Sequence, residues 1–175
     1  MSQSPVKQLH IRPAKEQDRS LIDGVIAAAF NGNDEVALVR KLVADGDVVL
    51  ELVAEANGHV TGHILFSRVW IEHADGRTPA VALAPLAVLP EMQRAGVGRA
   101  LIAEAHEQLA KAGEGLSIVL GDPAYYGRFG YRLELASGFE SNYPAHYLQA
   151  RYLSENHRDL PHQGRLIYAS AFGEN

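Results

Sequence analysis

The chain has 175 residues, 47% of them apolar, with 16 Lys and Arg against 21 Asp and Glu and no cysteine. That length suits one domain, 1–175, with a sizeable core, and the ordinary charged fraction argues against disorder. The lack of cysteine excludes disulfides, thiolate metal sites and a cysteine nucleophile, and the formal net charge of −5 argues against a general nucleic-acid binder. No apolar run approaches the roughly 20 residues of a membrane span. The first residues, Met1-Ser2-Gln3-Ser4-Pro5, lack the apolar region of a signal peptide, so the expectation is a cytoplasmic protein without a membrane partner. The eight histidines are scattered, none paired at helical i, i+4 spacing across a carboxylate, and no metal is expected.

A short strand is predicted over 10–13, where Pro13 suits a strand end. A helix over 15–30 places Leu21, Ile22, Val25, Ile26 and Ala29 on one face. Asn31-Gly32-Asn33 breaks it. Asn33 or Asp34 caps a second helix carrying Val39, Leu42 and Val43, which Gly46 ends. Residues 48–56 alternate, with Leu50, Leu52 and Ala54 on one side and Glu51 and Glu55 on the other. Asn57-Gly58 is a hairpin signal, a long strand covers 59–73, Asp75-Gly76 turns the chain again, and a third strand covers 78–89. These three form an antiparallel meander. His63 on the middle strand is expected to be a packed or surface residue.

The third strand changes register. Val81 and Leu83 share one parity, Leu86 and Val88 the other, with Ala84-Pro85 between them. Proline donates nothing to a ladder, so a β-bulge is expected there. A helix over 96–112 follows, with the stripe Val97, Leu101, Ala105, Leu109 and with Gly113 as terminator. A short buried strand over 116–121 completes a right-handed βαβ unit with parallel strands. Asp122-Pro123 begins a short helix that Gly130 stops; Tyr131 begins another strand. Residues 132–162 show no pattern but carry Phe139, Tyr143, Tyr147 and Tyr152 and read as a functional segment. A last strand is expected over 165–172.

The turn before the 96–112 helix is chemically specific. Gln93, Arg94, Ala95, Gly96, Val97, Gly98 and Arg99 supply two glycines that allow close backbone approach, a helix start with unpaired N–H groups, and two guanidinium groups. That is chemistry for a phosphate group. Gly96-Val97-Gly98-Arg99-Ala100-Leu101 lacks the third glycine of a dinucleotide fingerprint, and no Gly-Lys-(Ser/Thr) P-loop is present.

The pattern Gln93-x-x-Gly96-x-Gly98 resembles the acyl-coenzyme A signature of the GNAT N-acetyltransferase superfamily, (Arg/Gln)-x-x-Gly-x-(Gly/Ala). It lies between an apolar strand and an amphipathic helix, as that signature requires. The resemblance implies an α+β fold: a mixed, mostly antiparallel twisted sheet with a central, splayed parallel pair and helices on both faces. It implies acetyl-CoA as co-substrate, with Gln93, Arg94, Ala95, Gly96, Val97, Gly98 and Arg99 around the pyrophosphate. The backbone of Leu86, Ala87 and Val88, exposed by the splay, would meet pantetheine and the thioester.

Downstream, Tyr126-Gly127-Arg128-Phe129-Gly130-Tyr131 resembles the family's Tyr-x-x-x-Gly-(Phe/Tyr) element, whose tyrosine is often the general acid. That implies Tyr126 as proton donor to the leaving thiolate, ahead of the adjacent Tyr125. This chain departs from many members in having Asp122-Pro123 and a short helix before the tyrosine. No carboxylate or histidine stands on the strand ending at Leu89 where some relatives carry a glutamate, and Asp122 is explained by its capping position. The implied activity is transfer of acetyl from acetyl-CoA to an amine, carried by a small molecule or by a protein or peptide, with residues 132–162 on the amine side. The alternative is a non-catalytic acyl-CoA-binding or sensing module. Relatives are often dimers, which leaves room for a homodimer.

Overall fold

The computed structural model describes residues 8–173. Strand β1 (Leu9–Pro13) leads through one 3₁₀ turn (Glu16–Asp18) into α1 (Arg19–Phe30), and α2 (Asp34–Asp45) follows. Asn31 at φ 54° closes α1 and Gly46 at φ 74° closes α2, each a left-handed residue at a helix end. The meander is β2 (Val48–Ala56), β3 (His59–His73) and β4 (Gly76–Val88). Helix α3 (Val97–Lys111) connects β4 to β5 (Leu116–Leu120), and α4 (Pro123–Tyr126) follows. The chain ends with α5 (Leu133–Ala136), β6 (Phe139–Glu140), β7 (Leu148–Tyr152) and β8 (Gly164–Ile167).

The sheet runs β1-β2-β3-β4-β5-β7, with β8 pairing both β3 and β6. All pairings along the main path are antiparallel except β4 with β5. β3 is longer than any partner. β2 covers one edge of it up to Ser67, and β8 takes over at Trp70, Ile71 and Glu72.

Helices α1 and α2 cover one face, where Ile22, Val25, Ile26, Val39 and Leu42 pack on Val53, Leu65 and Ala87. Helix α3 covers the other, its Val97, Leu101, Ile102, Ala105 and Leu109 meeting Leu52, Ala54, Ile64 and Phe66. The start of α3 sits very close to the sheet. A Cβ at Gly62 would lie 2.8 Å from Val97 Cγ1 and 3.0 Å from Leu101 Cδ1, so only glycine lets the helix approach there.

The predicted bulge is present. Leu83 pairs with Phe66 and Leu86 with Ile64, so three steps along β4 match two along β3. The extra residue keeps Val81, Leu83, Leu86 and Val88 all on the α3 face. The Ala84–Pro85 peptide bond is cis. β4 and β5 are paired at Val81, Ala82 and Leu83 with Ser117, Ile118 and Val119, and beyond Leu83 they separate.

Three sequence expectations are corrected. Tyr131 does not begin a strand: a single bridge joins Arg132 to Ala150, Tyr131 is buried, and α5 follows at once. The patternless stretch 132–162 contains β7, which flanks β5 from Leu116↔Tyr152 to Leu120↔Leu148. Leu148, Ala150 and Tyr152 alternate with Gln149 and Arg151, but a run of five with only two aliphatic residues is too short to stand out in the sequence. Tertiary contacts supply what the pattern lacks, for Gln149 is buried and donates to the Gly121 carbonyl at 3.1 Å. The final strand stops at Ile167, and a 3₁₀ turn (Ser170–Phe172) replaces its second half.

Two charge clusters hold β1 and β2 to α1. Arg12 reaches Asp18 (2.7 and 2.9 Å) and Glu55 (2.7 and 3.0 Å). Arg19 grips Glu51 through both oxygens at 2.7 and 2.9 Å, and His63 Nε2 donates to Glu51 Oε2 at 2.8 Å. His63 is fully buried, which settles it as a packed residue. Burial pushes the Glu51 carboxyl up, but the bonds from Arg19 and His63 more than reverse that and bring it down to about 2. A value below the ordinary 4.5 means that this stabilisation is complete above that pH and disappears as the pH falls towards 2. Glu51→Gln should therefore lower stability by roughly 3 kcal/mol at pH 7, the scale for breaking a buried pair. Denaturant unfolding at pH 7 and pH 3 should show the difference between variant and parent shrinking in acid. An equal deficit at both pH values would contradict the ion pair.

Candidate functional site

The separation of β4 from β5 leaves part of a strand edge unused. Leu89 N–H donates to the Thr61 carbonyl at 2.9 Å. In an antiparallel ladder this sets the phase, so the N–H and C=O groups of Leu86 and Val88 face away from β3, into the gap. Gln93 reaches back and its Nε2 donates to the Val88 carbonyl at 3.1 Å. Ala87 is the opposite case: it pairs with His63, and its side chain is buried under α1.

After β4, a 3₁₀ turn (Pro90–Met92) leads into the glycine turn. Arg94 at φ 65° and Gly96 at φ 89° are both left-handed, and Gly96 is the residue preceding α3. Two left-handed residues so close together fold the backbone around its own amides. Among the described residues, no backbone carbonyl accepts from the N–H groups of residues 94–99. Those donors, with the positive end of α3, form an anion cradle. A non-glycine residue at positive φ is uncommon, and such strain clusters at ligand-binding turns.

The third wall is α4. Asp122 caps it, its Oδ1 accepting from Ala124 N–H at 2.9 Å, and Pro123 holds the first position. The helix then presents Tyr125 and Tyr126, whose rings meet edge to face at 5.0 Å. Each lies against a glycine. A Cβ at Gly98 would be 2.6 Å from Tyr125 Oη, and a Cβ at Gly121 would be 2.5 Å from Tyr126 Cε2. Burial raises both phenols, Tyr126 to about 12 with a further push from Tyr125, while Arg128 partly offsets the rise at Tyr125. Both therefore keep their protons at neutral pH.

These parts enclose one cleft of about 680 Å³. Leu86 and Val88, the glycine turn, Tyr125, Tyr126 and Arg128 line it, and so do Ala29 and Phe30 at the end of α1. Since α1 and α3 lie on opposite faces of the sheet, the cleft passes through the sheet at the gap. Arg94, Arg99 and Arg128 are exposed, and among the described residues none forms an ion pair. Arg128 lies 5.6 Å over the Tyr125 ring. The geometry suits a long ligand: phosphates at the turn and its guanidinium groups, an extended polar arm along the β4 edge, and a reacting end beside a neutral phenol.

Of the residues singled out in sequence, Leu86, Val88, Gln93, Arg94, Gly96, Val97, Gly98, Arg99 and Tyr126 come together here. Ala95 belongs to the turn without lining the cleft, and Ala87 faces elsewhere. No residue of 132–162 lines it. Tyr143 borders a separate hollow with Arg165 and Tyr168, and Tyr147 is on the surface. Sequence reasoning missed Ala29, Phe30, Met92, Tyr125 as a wall residue, Arg128 and Phe129. Arg128 was findable, because it stands three residues after Tyr125 on the same short helical segment. Phe30 carried no signal, since an apolar residue at a helix end reads as core.

Residues 10–133 match the family model described as the acetyltransferase (GNAT) domain. The uncharacterized N-acetyltransferase YhbS of Escherichia coli K12 is 35% identical over 124 residues, 70% of this chain and 73% of that protein. The uncharacterized N-acetyltransferase YjhQ of the same strain is 38% identical over 134 residues, 75% of this chain and 72% of that one. The crystal structure of YhbS from Escherichia coli in complex with CoA superposes with a TM-score of 0.88 at 29% identity, over 99% of this chain and 97% of the other. A GNAT family acetyltransferase from Brucella melitensis, solved with acetyl-CoA, gives 0.78 at 35% identity, over 94% of this chain and 98% of the other. The splayed parallel pair, the glycine turn and the matched sequence agree: the chain belongs to the GNAT acetyltransferase family.

Proposed function

We propose that the protein is an acetyl-CoA-dependent N-acetyltransferase that passes acetyl directly to an amine. The observation that carries this reading is the convergence of three elements on one cleft: the amide-rich turn, the unused β4 edge and the Tyr126 phenol. The CoA complex of YhbS and the acetyl-CoA complex of the Brucella protein support it.

The residues present fit the cofactor. The free N–H groups of residues 94–99 match a pyrophosphate, which accepts and does not donate. Leu86 N–H and C=O match the alternating polar groups of a pantetheine arm, as one strand pairs with another. When bound, acetyl-CoA supplies an activated acyl group as a thioester. Leu86 and Val88 then hold it in the gap between the strands, where a backbone N–H is placed to stabilise charge developing on the carbonyl oxygen. Tyr126 holds its proton at Oη and delivers it to the departing sulfur, and the proton that the amine nitrogen loses on becoming an amide passes to solvent, from which the phenol is restored. Ala29 and Phe30, at the end of the cleft on the α1 face, form the approach for the amine.

Two outcomes are expected. Gly96→Glu puts a carboxylate beside the cradle and a side chain at left-handed φ, at a strain cost of about 1–2 kcal/mol. Gly113 has nearly the same φ, 88°, at the far end of α3 and also has open space around it, so Gly113→Glu carries the strain without the site. Calorimetry should show CoA binding weakened at least about tenfold in the first variant and unchanged in the second; equal losses would remove the cradle from its assigned role. Tyr126→Phe keeps the ring against Gly121 and removes only the hydroxyl. In acetyl-CoA turnover its kcat and kcat/KM should fall together, by roughly 10²–10⁴-fold for a general acid, with CoA affinity and melting temperature barely changed. Near-normal turnover in this variant with collapse in Tyr125→Phe would transfer the role to Tyr125.

A further inference from the structure

Behind Tyr126 lies a polar chain that the chemistry above does not use. It begins at Arg151 on β7. Its guanidinium Nη1 donates to the Phe129 carbonyl at 2.7 Å and to His106 Nδ1 on α3. His106 Nε2 meets Tyr131 Oη at 2.9 Å, and Tyr131 Oη meets Ser117 Oγ on β5 at 2.7 Å.

The order of donors follows from chemistry. A guanidinium has no acceptor, so His106 Nδ1 must accept. A neutral imidazole whose Nδ1 accepts carries its hydrogen on Nε2, which must then donate to Tyr131. Tyr131, having accepted, has its own proton left for Ser117. Every bond therefore points one way, from Arg151 through His106 and Tyr131 to Ser117. His106 is neutral on independent grounds, since burial and then the charge of Arg151 push it down to about 3.

This chain reaches the acid at two points. Tyr131 is fully buried and packs edge to face on the Tyr126 ring, centroids 5.9 Å apart. Phe129, whose carbonyl Arg151 holds, lies three residues after Tyr126 in the turn (Gly127–Phe129) that continues α4. Gly130, at φ 88°, closes that turn against the Arg151 side chain, where a Cβ would sit 3.2 Å from Arg151 Cδ and Nε. A helix of four residues has little rigidity of its own. Its aim must come from such external contacts.

We infer that Arg151 is a positioning residue for Tyr126, holding the short tyrosine helix through the Phe129 carbonyl and through the one-way chain His106–Tyr131–Ser117. The inference rests on the proposed role of Tyr126 as acid. Arg128 and Glu107 are the other charged groups sharing the outer hollows beside His106 and Arg151, and Glu107 is tied to Lys111 at 2.9 Å. On the inner side His106 meets Tyr131 and, 6.3 Å away, the Phe66 ring. Arg151 is thus the charged group hydrogen-bonded to His106.

The test uses the full chain in three readouts. In ¹⁵N spectra of the parent protein, His106 should be neutral with its hydrogen on Nε2; a hydrogen on Nδ1 would overturn the chain. With tyrosine rings ¹³C-labelled, Arg151→Met should shift the Tyr126 resonances and leave those of Tyr143 in place, and unmoved Tyr126 resonances would overturn the inference. For turnover, thiol release from acetyl-CoA is followed with spermidine, tyramine and a peptide bearing a free amino terminus. Arg151→Met should lower kcat about tenfold, with the KM for acetyl-CoA within about twofold, and Arg151→Lys should recover part of the loss. In a Tyr126→Phe background the same change should cost less than about twofold, because residues acting as one unit are not additive. Full additivity would make Arg151 merely structural and sink the inference while leaving the acid in place. Normal turnover in Tyr126→Phe alone would remove the acid itself, and this inference with it. Should Arg151→Met not fold, Tyr131→Phe breaks the same chain by one hydroxyl and should move kcat and the Tyr126 resonances in the same direction; no change in either would be equally fatal.

Discussion

The extra residue in β4 is the constraint on which the site depends. A parallel pair that stayed in register would carry its ladder from Val81 on to Val88, and the N–H and C=O groups of Leu86 and Val88 would be spent on β5. The bulge at Ala84–Pro85 prevents this. Pro85 has no N–H to offer, and the added residue bends the strand while returning Leu86 and Val88 to the α3 face. Burial of apolar side chains and availability of polar backbone are thus satisfied by the same few residues. Without the bulge, either the apolar alternation or the free edge would be lost.

Close approach is the second requirement, and glycine provides it at three points. Gly62 lets α3 sit directly on the sheet, which brings the helix start beside the free edge. Gly98 leaves room for the Tyr125 hydroxyl and Gly121 for the Tyr126 ring. Each of these contacts would be a clash with a single added carbon. Backbone amides thus reach the cleft at the glycine turn and along the β4 edge, and they do not need to be reorganised when a charged ligand arrives.

The charges divide by task. Asp18, Glu51 and Glu55 lie between β1, β2 and α1, each satisfied by an arginine, and they fasten the first helix to the sheet. The arginines around the cleft have no such partners among the described residues. An unpaired surface guanidinium adds little to stability, but several around one opening raise the local concentration of an anionic ligand. The molecule carries a net negative charge overall and still presents a cationic mouth, which net charge alone does not reveal.

Much of this could be read from the sequence, for reasons that are local. The hairpin at Asn57-Gly58, the ends of α2 and α3, the parity change across Ala84-Pro85 and the capped start at Asp122 each depend on a few adjacent residues whose backbone preferences or alternation decide the outcome. The glycine turn and the Tyr126 element were legible as a family resemblance, and the anion chemistry of the turn as physics. Tertiary structure alone decided the rest. Strand β7 exists because β5 offers it an edge and Gly121 a carbonyl for Gln149; the alternation of its five residues is too short to specify it alone. Phe30 belongs to the cleft only because the sheet opens beneath it. The polarity of the chain from Arg151 to Ser117 needed three elements, β7, α3 and β5, brought within hydrogen-bond distance. A sequence records the preferences of neighbours along the chain. Which distant edges, carbonyls and side chains meet is settled when the whole core closes.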